Sequence, residues 1–189
     1  INATNPPAKG GITITKTDAK TGAVLPGVHF ILYDGNNNSI AEGDTDSEGK
    51  LSFSNLPLGT YSLVETSAPA GYVLDSAPRS VTISEHEQIV QIAVTNGAAV
   101  GSISITKTDA NTHAPLSGVH FVLTDSAGAT VGGGGTDENG VLTFSNLPLG
   151  TYSITETETR HGYVLESTPR EVSITENGQL VEVSITNTP

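Results

Sequence analysis

The sequence contains no cysteine, methionine or tryptophan among its 189 residues. Without cysteine, the chain cannot form a disulfide bond, an Fe–S site or a thiolate–zinc site. Cations are also scarce, with eight Lys and Arg against twenty Asp and Glu and a net charge of −12. We therefore expect no nucleic-acid partner, because phosphate binding needs a basic surface. No run of eighteen apolar residues occurs, so we expect no membrane insertion.

Helical periodicity is missing as well, because no stretch keeps an apolar face over three helical turns. Short β-branched segments with alternating polarity lie instead between turns rich in Gly, Pro, Asn and Asp, which predicts strands throughout. The strands predicted for the first half lie near 11–17, 28–33, 39–43, 50–54, 60–66, 71–75, 79–84 and 88–96. Many short strands at this spacing indicate an all-β protein built of antiparallel β-sandwiches.

An internal repeat divides the chain into two halves. The nine residues from Ser54 to Ser62 recur unchanged from Ser145 to Ser153, an offset of 91 residues. At this offset the alignment needs no gap from Gly10 to Asn96, and 48 of the 87 aligned positions are identical. The repeat predicts two tandem domains of immunoglobulin size, at 10–97 and 102–189, with a linker at 98–101.

The first nine residues fit the end of another repeat. Residues 1–5 align at the same offset with residues 92–96, the last predicted strand of the first domain. The chain also opens at Ile1, without an initiator Met or a signal peptide. We therefore interpret 1–9 as the end of a preceding repeat with its linker, and expect a longer tandem array.

In three strands of each repeat, the row of apolar residues on the core-facing side is followed by a polar residue. Alternate residues of a strand share a face, and the first, fifth and last predicted strands each carry an apolar stripe on one face. The next residue on that face is a lysine, a glutamate and an asparagine, respectively. The six residues are Lys16, Glu65 and Asn96 in repeat one and Lys107, Glu156 and Asn187 in repeat two.

Three interpretations of these polar residues remain open on alternation alone. In the first, Lys and Glu form a buried ion pair and Asn fills the remaining space as a hydrogen-bond partner. In the second, the three strand ends reach solvent. In the third, the three groups react with one another. Burial disfavours the charged forms of an amine and a carboxylic acid, and a neutral amine is a nucleophile. Its attack on the Asn amide carbon would release ammonia and leave a Lys–Asn isopeptide bond. A protonated Glu would polarise the amide carbonyl and shuttle protons.

Several longer motifs resemble the Cna B-type, or SpaA-type, repeats of Gram-positive surface proteins. The motifs are GVHFILYD at 27–34, TDSEG at 45–49, NLPLGTYSLVE at 55–65 and APAGY at 68–72. The resemblance covers both repeats and implies reverse-immunoglobulin, prealbumin-like sandwiches. It also implies an isopeptide crosslink from Lys16 to Asn96 and from Lys107 to Asn187, with Glu65 and Glu156 as the catalytic residues. Repeat two departs from the pattern after its Glu, where Arg160 replaces Pro69, so we expect that loop to differ.

The resemblance implies a structural stalk region of an adhesin or a pilus-associated protein, extracellular and anchored to the cell wall. Such a chain is not an enzyme, apart from its single-turnover reaction on itself. We expect it to be a monomer with neighbouring repeats as its partners and a host matrix protein bound through another region. Two alternatives are a module that itself binds a collagen- or fibronectin-type ligand and a pilin subunit.

Neither a cofactor nor a metal is expected. The acidic segment 44–49 is similar to the start of an EF-hand loop. The position that needs a bidentate Glu is Asn55, however, and Asp44 is replaced by Gly135 in repeat two. This segment therefore predicts a turn between strands and not a calcium site.

Overall fold

Fourteen strands and no helix are found in the computed structural model, which describes residues 7–189. The strands of the first unit are β1 Lys9–Asp18, β2 His29–Tyr33, β3 Ser39–Asp44, β4 Lys50–Pro57, β5 Gly59–Ser67, β6 Arg79–Ile83 and β7 Ile89–Asn96. Those of the second unit are β8 Val100–Asp109, β9 His120–Asp125, β10 Thr130–Gly135, β11 Val141–Pro148, β12 Gly150–Glu158, β13 Arg170–Ile174 and β14 Leu180–Asn187. Nothing in residues 7–189 could therefore cross a membrane as a helix.

Each unit is a sandwich of a three-stranded and a four-stranded sheet. The strand orders in the first unit are β4-β1-β7 and β3-β2-β5-β6, and in the second unit β11-β8-β14 and β10-β9-β12-β13. In both units the apolar faces of the two sheets pack on one another around one continuous hydrophobic core. The all-β, tandem-sandwich prediction is confirmed.

One strand pair in each unit is parallel, although the sequence analysis expected antiparallel sheets. β1 runs parallel to β7 with Lys16 opposite Val94, and β8 runs parallel to β14 with Lys107 opposite Ile185. All other pairs between the strands of residues 7–189 are antiparallel. The parallel pairing brings the carboxyl ends of the first and last strands of a unit to the same edge of the sandwich.

The strand predicted at 71–75 is wrong. Tyr72 makes a single isolated bridge to Ala98, and the residues after it belong to no strand. Gly71 has a positive φ of 85°, which turns the chain away from an extended path, and Val73 and Leu74 remain about 40% exposed. The alternation of apolar residues here reflects a loop that packs Tyr72 against the core.

The boundary between the two units lies within the predicted linker at 98–101. The chain divides between Ala98 and Ala99, and β8 already begins at Val100. A Cβ on Gly101 would lie 2.7 Å from the Gln179 carbonyl oxygen, so this glycine allows a close approach within the strand. Likewise Lys9 lies in β1, whereas the predicted strand at 1–5 falls outside the described residues.

Candidate functional site

The sandwich brings the three polar residues of each repeat together at one end of its core. Lys16 follows the buried Ile12 and Ile14 along β1, and Asn96 is the last residue of the neighbouring β7. Glu65 comes from β5 in the opposite sheet. The site is therefore assembled across the core from both sheets.

In repeat one, three hydrogen bonds close a ring between these side chains. Lys16 Nζ donates to Glu65 Oε2 at 2.7 Å and to Asn96 Oδ1 at 2.6 Å. Asn96 Nδ2 donates to Glu65 Oε1 at 2.5 Å. Because a carbonyl bond is about 1.23 Å long, the amine nitrogen lies within about 3.8 Å of the Asn96 amide carbon.

Repeat two has the same ring, formed by Lys107, Glu156 and Asn187. Lys107 Nζ donates to Glu156 Oε2 at 2.8 Å and also to Asn187 Oδ1. Asn187 Nδ2 donates to Glu156 Oε1 at 2.6 Å. The two repeats therefore place the same three groups in the same contacts, 91 residues apart.

Burial of these groups excludes one of the alternatives left open by the sequence. The lysines are 0% exposed, and the glutamates and asparagines are each 2% exposed. The three strand ends therefore do not reach solvent. A buried Lys–Glu ion pair that is only structural remains the competing interpretation.

The surroundings of the lysines favour the neutral amine. Burial lowers the pKa of Lys16 below its ordinary value, and the hydrogen bond and charge of Glu65 offset part of that effect. The pKa of Lys107 is lowered by the same cause, with Glu156 opposing it. The Phe30 ring, whose centroid lies 5.8 Å from Lys16 Nζ, forms an aromatic wall of the pocket.

Further residues around the site were not predicted from the sequence. Phe30 pairs with Glu65 across β2 and β5, so its ring stands beside the carboxylate on the core face. Asp18 lies opposite Asn96 in the β1–β7 register, but backbone N–H groups of Thr21 and Lys20 bind its carboxylate and lower its pKa to about 2. Asp18 therefore closes the turn after β1 and takes no part in the ring. The sequence signal that could have identified this aspartate is the motif TKTD, which occurs at 15–18 and again at 106–109.

The loop after the glutamate has the same turn in both repeats. Tyr72 N donates to the Pro69 carbonyl in repeat one, and Tyr163 N donates to the Arg160 carbonyl in repeat two, both at 3.1 Å. The replacement of Pro69 by Arg160 therefore leaves this turn unchanged. The difference that reaches the site is Thr159, whose Oγ1 accepts a hydrogen bond from Asn187 Nδ2 at 2.6 Å.

Gly49 supports the strand that carries the lysine, and its replacement should weaken the repeat. Its carbonyl accepts from Lys16 N at 2.8 Å, its φ is 70°, and an added Cβ would lie 2.6 Å from the Lys16 carbonyl oxygen. We expect Gly49→Ala to reduce the unfolding free energy of repeat one by about 1–3 kcal/mol. Thermal unfolding of the two repeats measures this change.

Gly97→Ala is the matched control for that substitution. Gly97 has no positive φ, and nothing lies within 4 Å of the position of an added Cβ. We expect this variant to unfold within about 0.5 kcal/mol of the native chain. Equal effects at the two glycines would contradict the role given to Gly49.

Residues 7–189 contain no cluster of three or more His, Asp or Glu side chains that could hold a metal ion. The acidic segment at 44–49 is a turn, in which Asp46 Oδ1 accepts from the backbone N–H groups of Glu48 and Lys50, both at 2.9 Å. The groups available for chemistry at the candidate site are thus an amine, a carboxyl group and a primary amide.

Comparison with known families gives one match that covers nearly the whole chain. A family model described as a SpaA prealbumin-like fold domain matches residues 10–98 and, a second time, residues 101–189. Each match contains one complete ring of Lys, Glu and Asn.

Two similar proteins are informative. Serine-aspartate repeat-containing protein C of Staphylococcus aureus (strain Newman) is 27% identical over 69% of this chain, and the chain spans 16% of that relative's length. The solved structure of the Bacillus anthracis TIE protein is 32% identical, with a TM-score of 0.86. That match covers 95% of this chain and 34% of the solved one.

Proposed function

The chain belongs to the SpaA family of prealbumin-like fold domains, and from that premise we propose that its repeats are stalk domains of a Gram-positive cell-surface protein. Each repeat is locked by an intramolecular isopeptide bond, which joins Lys16 to Asn96 in repeat one and Lys107 to Asn187 in repeat two. The protein acts outside the cell and is attached to the cell wall. The similarity to the Staphylococcus aureus and Bacillus anthracis proteins supports the family membership from which this proposal starts.

The observation that carries the proposal is the position of the carboxylate between two nitrogens. Glu65 Oε2 contacts the nitrogen that would attack, Lys16 Nζ, and Glu65 Oε1 contacts the nitrogen that would leave, Asn96 Nδ2. Glu156 has the same two contacts in repeat two. An ion pair with a filler amide would not require this bridge, whereas a proton shuttle does.

The reaction is balanced by the groups of the ring alone. Glu65 first takes one proton from Lys16, which leaves a neutral amine next to a neutral carboxylic acid. The amine nitrogen attacks the Asn96 amide carbon, and the carbon–Nδ2 bond then breaks. The neutral Glu65 gives its proton to the leaving nitrogen and takes one from the attacking nitrogen, so that an amide, one ammonia and a protonated Glu65 result. Because Asn96 Oδ1 accepts from the amine, these contacts support the shuttling part of the predicted glutamate role rather than carbonyl polarisation.

The fixed geometry of the three groups lowers the activation barrier relative to the same reaction in solution. The three groups are held by strands of both sheets, and preorganisation of this kind can contribute about 7–11 kcal/mol to lowering a barrier. The pocket also lowers the pKa of Lys16, which increases the fraction of neutral amine near pH 7. Each repeat reacts once and its side chains are consumed, so the protein is not a turnover enzyme.

A stalk role fits the placement of the crosslink. The bond would join the first and last strands of a repeat, which are the strands through which tension enters and leaves. A chain without cysteine has no disulfide to do this. Because both repeats hold the same ring, the arrangement suits repeated spacer domains more than a ligand site confined to one of them.

Intact mass tests the proposal directly. We expect the folded chain to weigh less than its sequence by two ammonia molecules, one for each repeat. High-resolution mass spectrometry of the purified protein, followed by proteolysis, should also recover branched peptides that join Lys16 to Asn96 and Lys107 to Asn187. A mass equal to the sequence mass would leave the structural ion pair as the correct interpretation.

Glu65→Ala and Glu156→Ala serve as reciprocal controls for the mass measurement. Each variant should lose one ammonia instead of two, and the branched peptide of the altered repeat should disappear. The other repeat of the same chain reports that folding and handling were adequate. Loss of two ammonia molecules from Glu65→Ala would contradict the shuttle role of that carboxylate.

A further inference from the structure

The two rings differ in one contact, and this contact falls on the nitrogen that leaves. Asn187 Nδ2 carries two N–H donors, and the structure assigns an acceptor to each. Glu156 Oε1 lies at 2.6 Å and Thr159 Oγ1 also lies at 2.6 Å. In repeat one the position of Thr159 is taken by Ala68, which has no side-chain acceptor. Within residues 7–189, the side-chain nitrogen of Asn96 donates to Glu65 alone.

From this difference we infer that Thr159 is a further catalytic residue of repeat two, acting on the leaving group of the crosslinking reaction. The inference rests on the isopeptide function proposed above. We therefore expect the isopeptide bond to form faster in repeat two than in repeat one.

The first physical effect of Thr159 is orientation. An amide whose two N–H groups are both bound cannot rotate about its last side-chain torsion without breaking both contacts. Oδ1 of Asn187 is therefore held towards Lys107 Nζ, which donates to it. The amide plane thus keeps its carbon accessible to the amine, the condition for a productive approach.

The second effect is stabilisation of the developing ammonia. As the carbon–nitrogen bond breaks, the leaving nitrogen gains a proton and partial positive charge. A hydroxyl oxygen already in hydrogen-bond contact stabilises that charge without reorganisation. Thr159 is half-buried, so its hydroxyl group works beside the pocket and not in bulk solvent.

The backbone around Thr159 permits the same group in repeat one. Ala68 is half-buried like Thr159, and the turn that follows has the same 3.1 Å hydrogen bond in both loops. A backbone hydrogen bond also holds each loop next to the residue that follows the reactive asparagine. Val73 N donates to Gly97 O in repeat one, and Val164 N donates to Thr188 O in repeat two. A threonine at position 68 should therefore reach Asn96 as Thr159 reaches Asn187.

The test measures both reactions in the same molecule. The full chain is produced by cell-free synthesis, samples are quenched in denaturant at successive times, and the linked and unlinked peptides of each repeat are quantified by mass spectrometry. Thr159→Val removes the hydroxyl group at nearly constant volume. We expect it to slow bond formation in repeat two roughly tenfold, the effect of one such hydrogen bond, and to leave repeat one unchanged.

Two further variants separate catalysis from packing. Thr159→Ser keeps the acceptor and should retain the native rate, although it removes a methyl group. Ala68→Thr should accelerate repeat one, and this gain tests the inference even if Thr159→Val fails to fold.

The outcomes of these experiments are distinct. Equal rates for Thr159→Val and the native chain would overturn the role of Thr159 while leaving the isopeptide proposal standing. Acceleration by Ala68→Thr together with slowing by Thr159→Val would establish that role. A native chain that never loses ammonia in repeat two would overturn the proposed function itself.

Discussion

A native chain pulled by its two ends should show no unfolding step of domain size, whereas a chain with Glu65→Ala and Glu156→Ala should show two. Lys16 and Asn96 are 80 positions apart in the sequence, and so are Lys107 and Asn187. At about 3.3–3.6 Å for each extended residue, release of one such segment lengthens the chain by roughly 260–290 Å. The proposed isopeptide bond would remove this length, because tension would pass from β1 through the crosslink to β7.

The strand order explains why the proposed bond would lie on the path of the applied force. β1 and β7 are parallel neighbours, so the first residue of β1 and the last residue of β7 lie at opposite ends of the pair. Tension on the two ends therefore shears the β1–β7 hydrogen bonds. The proposed crosslink would join the carboxyl-terminal half of β1 to the last residue of β7, and the 79 residues between Lys16 and Asn96 would then carry no load.

Single-molecule force spectroscopy measures this difference, and the single variants calibrate it. Glu65→Ala alone should give one long step and Glu156→Ala alone should give one, each from the altered repeat. A native chain with steps of roughly 260–290 Å would show that its strands are not joined covalently. This measurement depends on the continuity of the chain and is therefore independent of the mass measurement.

The candidate site could be predicted from the sequence because strand periodicity is strict. On a strand, the residue two positions after a core residue shares its face, so Lys16 had to follow Ile14 into the core. Repetition of the three residue types at one offset then distinguished them from chance. The fold class followed from the same periodicity, and the family match confirms both the class and the resemblance.

The relative order of strands could not be derived in this way. Alternation states which face a residue occupies but not which strand lies beside it, and the parallel β1–β7 pair was not anticipated. Phe30 could not be placed at the site from the sequence, because its position next to Glu65 depends on the β2–β5 register. Thr159 lies just beyond the end of β12, where strand periodicity no longer applies.

Loops gave the clearest error. The apolar residues at 71–75 fit the alternation of a strand, but alternation does not show whether a sheet edge is available to pair with them. Tyr72 finds one bridge partner, and Gly71 turns the chain before a ladder can form. Gly101 lies inside the predicted linker at 98–101, but in the structure it belongs to β8, where the lack of a side chain allows close packing.

Lys16→Met should lower the melting temperature of repeat one by roughly 20–35 °C and leave repeat two unchanged. The substitution removes the amine and would therefore prevent the proposed bond from forming. Closing a loop of 80 positions contributes about 4.5 kcal/mol by analogy with a disulfide. For a domain of this size, each 1 kcal/mol corresponds to about 4–8 °C. Differential scanning calorimetry resolves the effect, with repeat two as the internal standard.

Methionine is chosen because it leaves no buried, unpaired amine at position 16. Glu65→Ala would leave the amine of Lys16 buried without its carboxylate, which costs about 3–5 kcal/mol by itself. Methionine is apolar and of similar length, and in this variant Glu65 loses the contact with the Lys16 amine but keeps the hydrogen bond from Asn96 Nδ2. Lys50→Met is the matched control, because Lys50 is half-exposed and pairs with Glu48 at the surface, an interaction that contributes at most about 1 kcal/mol. A shift for Lys16→Met as small as that for Lys50→Met would mean that no covalent bond stabilises repeat one.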